Sequence, residues 1–165
     1  MPLHRPILLI IALLTLLIAI PAHAVAPLEG RVIHVSDGDT VVVLTSGREE
    51  VKIRLHGIDC PEAKQPFGQA AKRQTLALAA DKEVTVIPMD TDRYGRTVGE
   101  VILPDSTSLN KALVATGYAW WYQKYAPRDA ELAALEAEAR KHRRGLWADS
   151  TSIPPWEWRK LQRQE

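Results

Sequence analysis

Residues 28–58 read LEGRVIHVSDGDTVVVLTSGREEVKIRLHGI, and this stretch decides the fold. Its aliphatic and β-branched residues predict three strands separated by two turn signals, Asp37-Gly38 and Thr45-Ser46-Gly47. The strands are expected at 30–35, 40–44 and 49–58. Apolar and basic residues alternate along the third strand, and neighbouring side chains of a strand lie on opposite faces. The stretch therefore predicts a β-meander in which Arg54 points away from the apolar face.

Helical and β-rich segments follow this meander. The composition predicts helices at 68–80, 108–116 and 128–142, and a second hairpin with strands at 83–88 and 98–103. Ser108 is expected to cap the second helix, and Glu136 to pair with Arg140 on the third. Five short strands interrupted by a helix favour a small barrel, so the fold class is α+β, mainly β, with five strands and three helices. This domain is placed at 25–149, and the Trp-rich, basic tail at 150–165 is assigned no element.

The composition excludes several classes of protein. Of the 165 residues, 46% are hydrophobic and 25% are charged, which excludes a collagen and a disordered polyelectrolyte. A single cysteine, Cys60, excludes an intramolecular disulfide. The sequence leaves open whether Cys60 is a buried thiol, forms an intermolecular bridge or matters only through its backbone.

The first 24 residues are interpreted as a signal peptide. His4 and Arg5 precede an uncharged apolar run, and Ala22-His23-Ala24 presents the small residues that signal peptidase requires. Cleavage after Ala24 would leave a formally neutral chain, which excludes binding of polyanions through overall charge. The protein is then expected to be secreted or periplasmic; the alternative is an uncleaved membrane anchor.

Three polar motifs are candidates for a functional site. The sequence VSDGDT at 35–40 is either a plain hairpin turn or, through Asp37 and Asp39, a site for Ca²⁺ or Mg²⁺. In RLHGIDCPE at 54–62, Asp59 could join Asp39 on the metal, with Glu62 facing the same pocket as Arg54. The alternative for this motif is a salt bridge of Arg54 at a strand end.

The third motif, DRYGR at 92–96, presents two guanidinium groups and a phenol, or is simply a solvated hairpin tip. Together the three motifs fit hydrolysis of a phosphodiester, whose transition state gathers negative charge on oxygen. Arginine matches phosphate oxygens bidentately, a divalent ion neutralises the same centre, and a carboxylate takes the proton of the attacking water. The three motifs therefore supply every group that this reaction needs.

These motifs, in this order and followed by NKALVATGYA at 110–119, resemble those of the staphylococcal nuclease (thermonuclease) family. The resemblance covers roughly residues 28–147. It implies an OB-type five-stranded barrel and Ca²⁺-dependent endonucleolytic hydrolysis of DNA and RNA, leaving 3′-phosphate ends. A monomer without stable membrane association is expected.

The resemblance also implies roles for individual residues. Asp39, Asp59 and the backbone carbonyl of Cys60 would bind calcium, with Asp37 in support. The expected catalytic residues are Arg54, Glu62 and Arg96. Those expected to bind substrate are Tyr94, Tyr122, Tyr125 and Thr40.

Two features differ from the staphylococcal type. Cys60 replaces a threonine, and the loop after Glu62 is shorter, with fewer lysines. Of the aromatic residues at 118–125, one is expected to stack on a base and most to lie in the core. The alternative function is a non-catalytic nucleic-acid-binding module on the same fold.

Overall fold

The computed structural model describes residues 26–164, and five of its strands form a closed barrel. The strands of the barrel are β1 (Leu28–Asp37), β2 (Thr40–Thr45), β3 (Glu50–Leu55), β5 (Glu83–Thr91) and β6 (Thr97–Ile102). They are ordered β1-β2-β3-β6-β5, and β5 closes the barrel on β1. All neighbours are antiparallel except β3 and β6, which are parallel. The predicted meander, second hairpin and five-stranded barrel are therefore confirmed.

A second, two-stranded sheet was not expected from the sequence. The predicted third strand at 49–58 is interrupted after Leu55, because Gly57 adopts a φ of 74° that turns the chain. The residues after this turn form β4 (Ile58–Asp59), which pairs with β7 (Trp120–Trp121). This sheet places Asp59 opposite Trp120.

The three predicted helices are present, and side chains cap the N-termini of the second and third. They are α1 (Gly68–Ala79), α2 (Leu109–Ala115) and α3 (Ala130–Lys141), and a 3-10 helix (Gly145–Ala148) follows. Ser108 caps α2 as predicted, accepting a bond of 3.3 Å from Lys111 N. The third helix starts later than predicted because Asp129 caps it. Glu136 and Arg140 pair at 3.3 Å, as predicted.

The tail contains a fourth helix, α4 (Pro155–Leu161), where the sequence suggested no element. Proline in the first helical turn suits the fixed φ of its ring. Within residues 26–164 no helix has both the length and the apolar character needed to cross a bilayer. The proposed signal peptide at 1–24 lies outside the described residues.

The main core fills the barrel and the space between the barrel and the helices. It consists mostly of inward-facing valine, isoleucine and leucine side chains, including Val41, Val43, Ile53, Leu55 and Leu113. A smaller cluster of Trp120, Ala139, Leu146 and Trp147 lies beside it, and Phe67 and Trp156 pack against that cluster. Because Trp156 belongs to α4, this second cluster joins the tail to the rest of the protein.

Candidate active site

The hairpin turn between β1 and β2 holds the first carboxylate of the site. Asp39 is 4% exposed, and its backbone N–H donates to Asp37 Oδ1 over 3.2 Å. Helix α1 supports the turn through Thr75, whose hydroxyl donates to the carbonyl oxygen of Gly38 over 2.6 Å. A side chain at Gly38 would overlap Cys60 and Ala71. The glycine therefore lets the turn pack closely against the segment that carries the second carboxylate.

Arg54 joins the two buried aspartates. Its Nη1 forms an ion pair with Asp39 Oδ1, and its Nη2 lies 2.8 Å from Asp59 Oδ1. The side chain of Asp59 is 1% exposed, and that of Arg54 is 18% exposed. Arg54 lies on the outer face of β3, as the alternation predicted, while Ile53 and Leu55 are buried in the core. The structure thus brings Arg54 and both aspartates together, and it does so through the strand-end salt bridge that was the alternative interpretation of this motif.

The segment after β4 is tied to the carboxylate of Asp39. The N–H of Cys60 donates to Asp39 Oδ2 over 2.7 Å, and Thr40 Oγ1 lies 3.3 Å from Asp39 Oδ1. The Cys60 thiol is buried and free, which selects the first of the three states left open by the sequence. Burial raises the pKa of this thiol, partly opposed by the nearby Arg54 cation. Cys60 is therefore a neutral packing residue, and its backbone contacts the site.

Glu62 lies in a tight loop between β4 and α1. Its N–H donates to Gln65 Oε1 over 3.1 Å, and its carbonyl oxygen accepts from Gln65 N over 2.8 Å. A Cβ atom at Gly68 would overlap the carbonyl oxygen of Glu62, so α1 begins at a residue without a side chain. The carboxylate is 43% exposed and therefore accessible to water.

A third arginine, not identified from the sequence as a site residue, reaches the same carboxylates from α4. Arg159 Nη2 lies 2.7 Å from Asp59 Oδ2, and its Nη1 lies 2.6 Å from Glu62 Oε1. Burial would lower the pKa of Arg159, but hydrogen bonds to the two carboxylates raise it above the ordinary value. Asp59 and Glu62 are about 100 residues away in sequence, and the tail carries no local motif, so only the three-dimensional fold identifies this contact.

The charge of this cluster suits a hard divalent cation. The cluster contains two guanidinium groups, those of Arg54 and Arg159, and four carboxylates, so its formal charge is −2. The carboxylates are those of Asp37, Asp39, Asp59 and Glu62. The available donors are carboxylate and backbone oxygens, which Ca²⁺ and Mg²⁺ prefer. No group of three or more His, Cys, Asp or Glu side chains among residues 26–164 forms a ready-made metal cage.

The DRYGR hairpin forms a separate cluster. Asp92 accepts bonds from the N–H groups of Tyr94 and Arg96 and from Arg96 Nε, the last over 2.6 Å. Burial opposes ionisation of Asp92, but these bonds hold its pKa below the usual 3.8. Tyr94 is 69% exposed. Within the described part of the chain, no hydrogen bond or ion pair joins Arg96 or Tyr94 to Asp39, Asp59 or Glu62.

The sheet register nevertheless brings Arg96 towards Arg54. Arg54 is paired with Val98 on the parallel neighbour β6. The bond from Asp92 N to Arg96 O extends the hairpin to Arg96, two residues before Val98. Arg96 therefore directly precedes the strand that runs beside the strand of Arg54.

The predicted base-stacking aromatics divide into core and surface residues. Trp120 is buried, whereas Tyr125 is 60% exposed and meets Tyr122 at right angles. Tyr122 stacks in parallel on Trp156 of α4, with ring centroids 4.9 Å apart. The β4–β7 pairing and a bond from Tyr122 N to Gly57 O place these rings beside the segment that carries Asp59.

Comparison with known proteins places the chain in a family. The sequence profile described as "Staphylococcal nuclease homologue" matches residues 52–149. A protein named "Uncharacterized endonuclease" from Escherichia coli O157:H7 is 46% identical over 81% of this chain and 86% of its own length. A "Micrococcal nuclease" from Shigella flexneri is 39% identical over 90% of this chain and 89% of its own. A "Staphylococcal-like nuclease" from Arabidopsis thaliana is 43% identical over 70% of this chain and 35% of its own. The protein therefore belongs to the staphylococcal nuclease family.

Proposed function

We propose that this nuclease-family protein is a Ca²⁺-dependent endonuclease that hydrolyses DNA and RNA and leaves 3′-phosphate ends. The observation that supports this most strongly is the buried Asp39–Arg54–Asp59 cluster with the accessible Glu62 beside it. Buried carboxylates around a guanidinium are costly to desolvate, and a site that binds a metal ion and a phosphate accounts for their presence.

In this proposal Asp39, Asp59 and the backbone carbonyl of Cys60 hold the calcium ion, and Asp37 supports them. When bound, the ion would neutralise negative charge on the scissile phosphate and orient it. Because the site has a net negative charge, it needs such a cation before a phosphodiester can approach.

Glu62 is the proposed general base. A general base must accept a proton from water within hydrogen-bond distance, and the exposed carboxylate of Glu62 can do so. Its loop is fixed by Gln65, which is itself 6% exposed and therefore well anchored. This anchoring reduces the reorganisation that the base needs during the reaction.

Arg54 and Arg96 are the proposed phosphate ligands. The ion pair with Asp92 uses Nε of Arg96, and its two terminal nitrogens have no hydrogen-bond partner among residues 26–164. These two nitrogens have the spacing for bidentate binding of phosphate oxygens. Thr40, Tyr94, Tyr122 and Tyr125 are proposed to contact the substrate around this centre.

The cellular location also belongs to the proposal. The basic start, apolar run and Ala22-His23-Ala24 site support export and cleavage, which would make the enzyme secreted or periplasmic and free of the membrane. Mass spectrometry of protein isolated from its host tests this point. A mature chain that starts at Val25 supports export with cleavage, whereas an intact N-terminus would indicate an anchored form.

A nuclease assay on single-stranded DNA and on RNA tests the activity. We expect hydrolysis with added Ca²⁺, no hydrolysis with a chelator, and 3′-phosphate on the products by end-group analysis. Arg54→Ala, Arg96→Ala and Glu62→Ala should each lower the rate at least about 100-fold. Tight oligonucleotide binding without turnover in Ca²⁺ would contradict the proposal and favour a non-catalytic module.

A further inference from the structure

Helix α4 brings the positive charge of Arg159 to the proposed cation site. The three sequence motifs do not include this residue. Arg159 donates to both oxygens of Asp59, over 2.7 Å to Oδ2 and 3.3 Å to Oδ1. It also donates to Glu62 Oε1 over 2.6 Å. One guanidinium thus contacts a proposed metal ligand and the proposed general base at the same time.

Together with Arg54, Arg159 satisfies the acceptors of the site. Asp59 accepts from both arginines, while Asp39 accepts from Arg54, from the Thr40 hydroxyl and from Cys60 N. A divalent cation on Asp59 would be next to the Arg159 guanidinium, and two like charges at one carboxylate repel each other. A proton acceptor held by a guanidinium is also a weaker base.

The attachment of α4 is specific but rests on few groups. Trp156 stacks on Tyr122 and meets Trp120 edge-on, with centroids 4.9 and 5.8 Å apart. Gln65 Nε2 donates to the carbonyl oxygen of Ile153 over 2.8 Å. Pro155 is buried, whereas the other end of the helix is open, with Leu161 50% exposed.

A seven-residue helix does not hold its shape alone in water, so its order depends on these contacts. Segments with so few buried contacts detach locally at a fraction of the free energy of global unfolding. These contacts therefore decide whether α4 stays docked on the site.

We propose that α4 and the divalent cation compete for the site. The guanidinium of Arg159 must leave Asp59 and Glu62 before the cation binds. The inference rests on the proposed function, since it takes Asp59 and Glu62 as residues of a cation-dependent centre. The docked helix then keeps the nuclease inactive at low calcium, and calcium shifts the population to the released state. If the docked state holds about 90% of the population, the apparent calcium affinity falls about tenfold.

Calorimetric titration of the purified protein with CaCl₂ tests this competition. Arg159→Gln should bind Ca²⁺ about tenfold more tightly than the unmodified protein. Trp156→Ala should tighten binding in the same direction, because it weakens docking without removing a charge from the site. Lys160→Gln is the matched control: it removes one charge from the exposed side of the same helix and should leave the affinity unchanged.

Hydrogen exchange measured by mass spectrometry supplies a second readout that does not depend on activity. Amides of α4 should exchange faster when saturating Ca²⁺ is added, while those of α2 should not change. Thermal unfolding of each variant checks that the barrel is folded.

Equal calcium affinity in the unmodified protein and Arg159→Gln, with unchanged exchange in α4, would overturn the competition. Loss of turnover in Arg159→Gln at unchanged affinity would also overturn it, since Arg159 would then act in the reaction itself. In both cases the proposed calcium-dependent nuclease would still stand. No calcium binding in any variant would refute both proposals.

Discussion

Replacement of Arg54 by methionine tests whether the buried ion cluster is a structural unit. Methionine keeps an unbranched apolar stem but removes the cation between Asp39, 4% exposed, and Asp59, 1% exposed. Removal of one partner from a buried ion pair costs about 3–5 kcal/mol, because the other charge remains buried without compensation. Asp59 keeps Arg159 as a partner, so we expect the lower end, about 3 kcal/mol.

This loss is measurable by equilibrium unfolding. Urea titration followed by circular dichroism, with a chelator present, should show a lower midpoint at unchanged slope. In a protein of this size, 3 kcal/mol corresponds to a fall in Tm of roughly 6–12 °C. Arg31→Met is the matched control, since Arg31 is exposed on barrel strand β1 and should change stability by less than about 0.5 kcal/mol.

A double mutant separates charge from packing. In the Arg54→Met background, Asp39→Asn removes one uncompensated charge and should restore part of the lost stability, which gives a favourable coupling between the two positions. If Arg54→Met unfolds within about 0.5 kcal/mol of the unmodified protein, the aspartates do not depend on Arg54 and the reasoning is wrong.

Three further changes probe the loop, the base and the hairpin. Glu62→Gln should lower kcat about 10²–10⁴-fold, with little change in Tm because the Glu62 side chain is 43% exposed. A kcat within a few-fold of that of the unmodified protein would exclude Glu62 as the general base. Gly68→Ala should destabilise the protein by about 1–3 kcal/mol in urea titration, because its Cβ meets the carbonyl oxygen of Glu62, while Gly47→Ala in an open turn should not. Asp92→Ala should lower the urea midpoint, and the difference from the unmodified protein should be constant down to about pH 4. The folded-state pKa lies below the usual 3.8, so this contribution is lost only as the pH falls through that lower pKa; a difference that vanishes already at pH 5 would contradict the assignment.

The barrel could be predicted because its signals are local. The alternation of apolar and basic residues along β3, and the turn signals before and after β2, depend on residues only a few positions apart. The β4–β7 sheet was missed because its paired residues, such as Ile58 and Trp121, are far apart in the sequence. Strands of two residues are also too short to show an alternation of apolar and polar side chains. The Gly57 turn that separates β3 from β4 was the available signal.

The site was predictable wherever a motif fixed its spacing. Arg54 and Asp59 are five residues apart, and their contact follows from a strand, a turn and a second strand. The spacing could not reveal that Asp92 holds Arg96, because the preferred partner of a guanidinium depends on which carboxylate lies nearest in the fold.

The tail was the least predictable part. Its helix has seven residues, and the partners of its aromatic and charged side chains lie far back in the sequence, at Tyr122, Asp59 and Glu62. Pro155 at the first helical position was the one local signal for a helix start.

The parallel contact between β3 and β6 also has a consequence for the order of assembly. The β1–β2–β3 meander can form from neighbouring segments, but β3 meets β6 only after β4, α1 and β5 have been placed. Contacts between residues distant in sequence slow folding, because the intervening chain must be ordered first. A chain in which β6 has not yet docked on β3 therefore lacks the arrangement of Arg54 and Arg96 on neighbouring segments that the proposed phosphate binding requires.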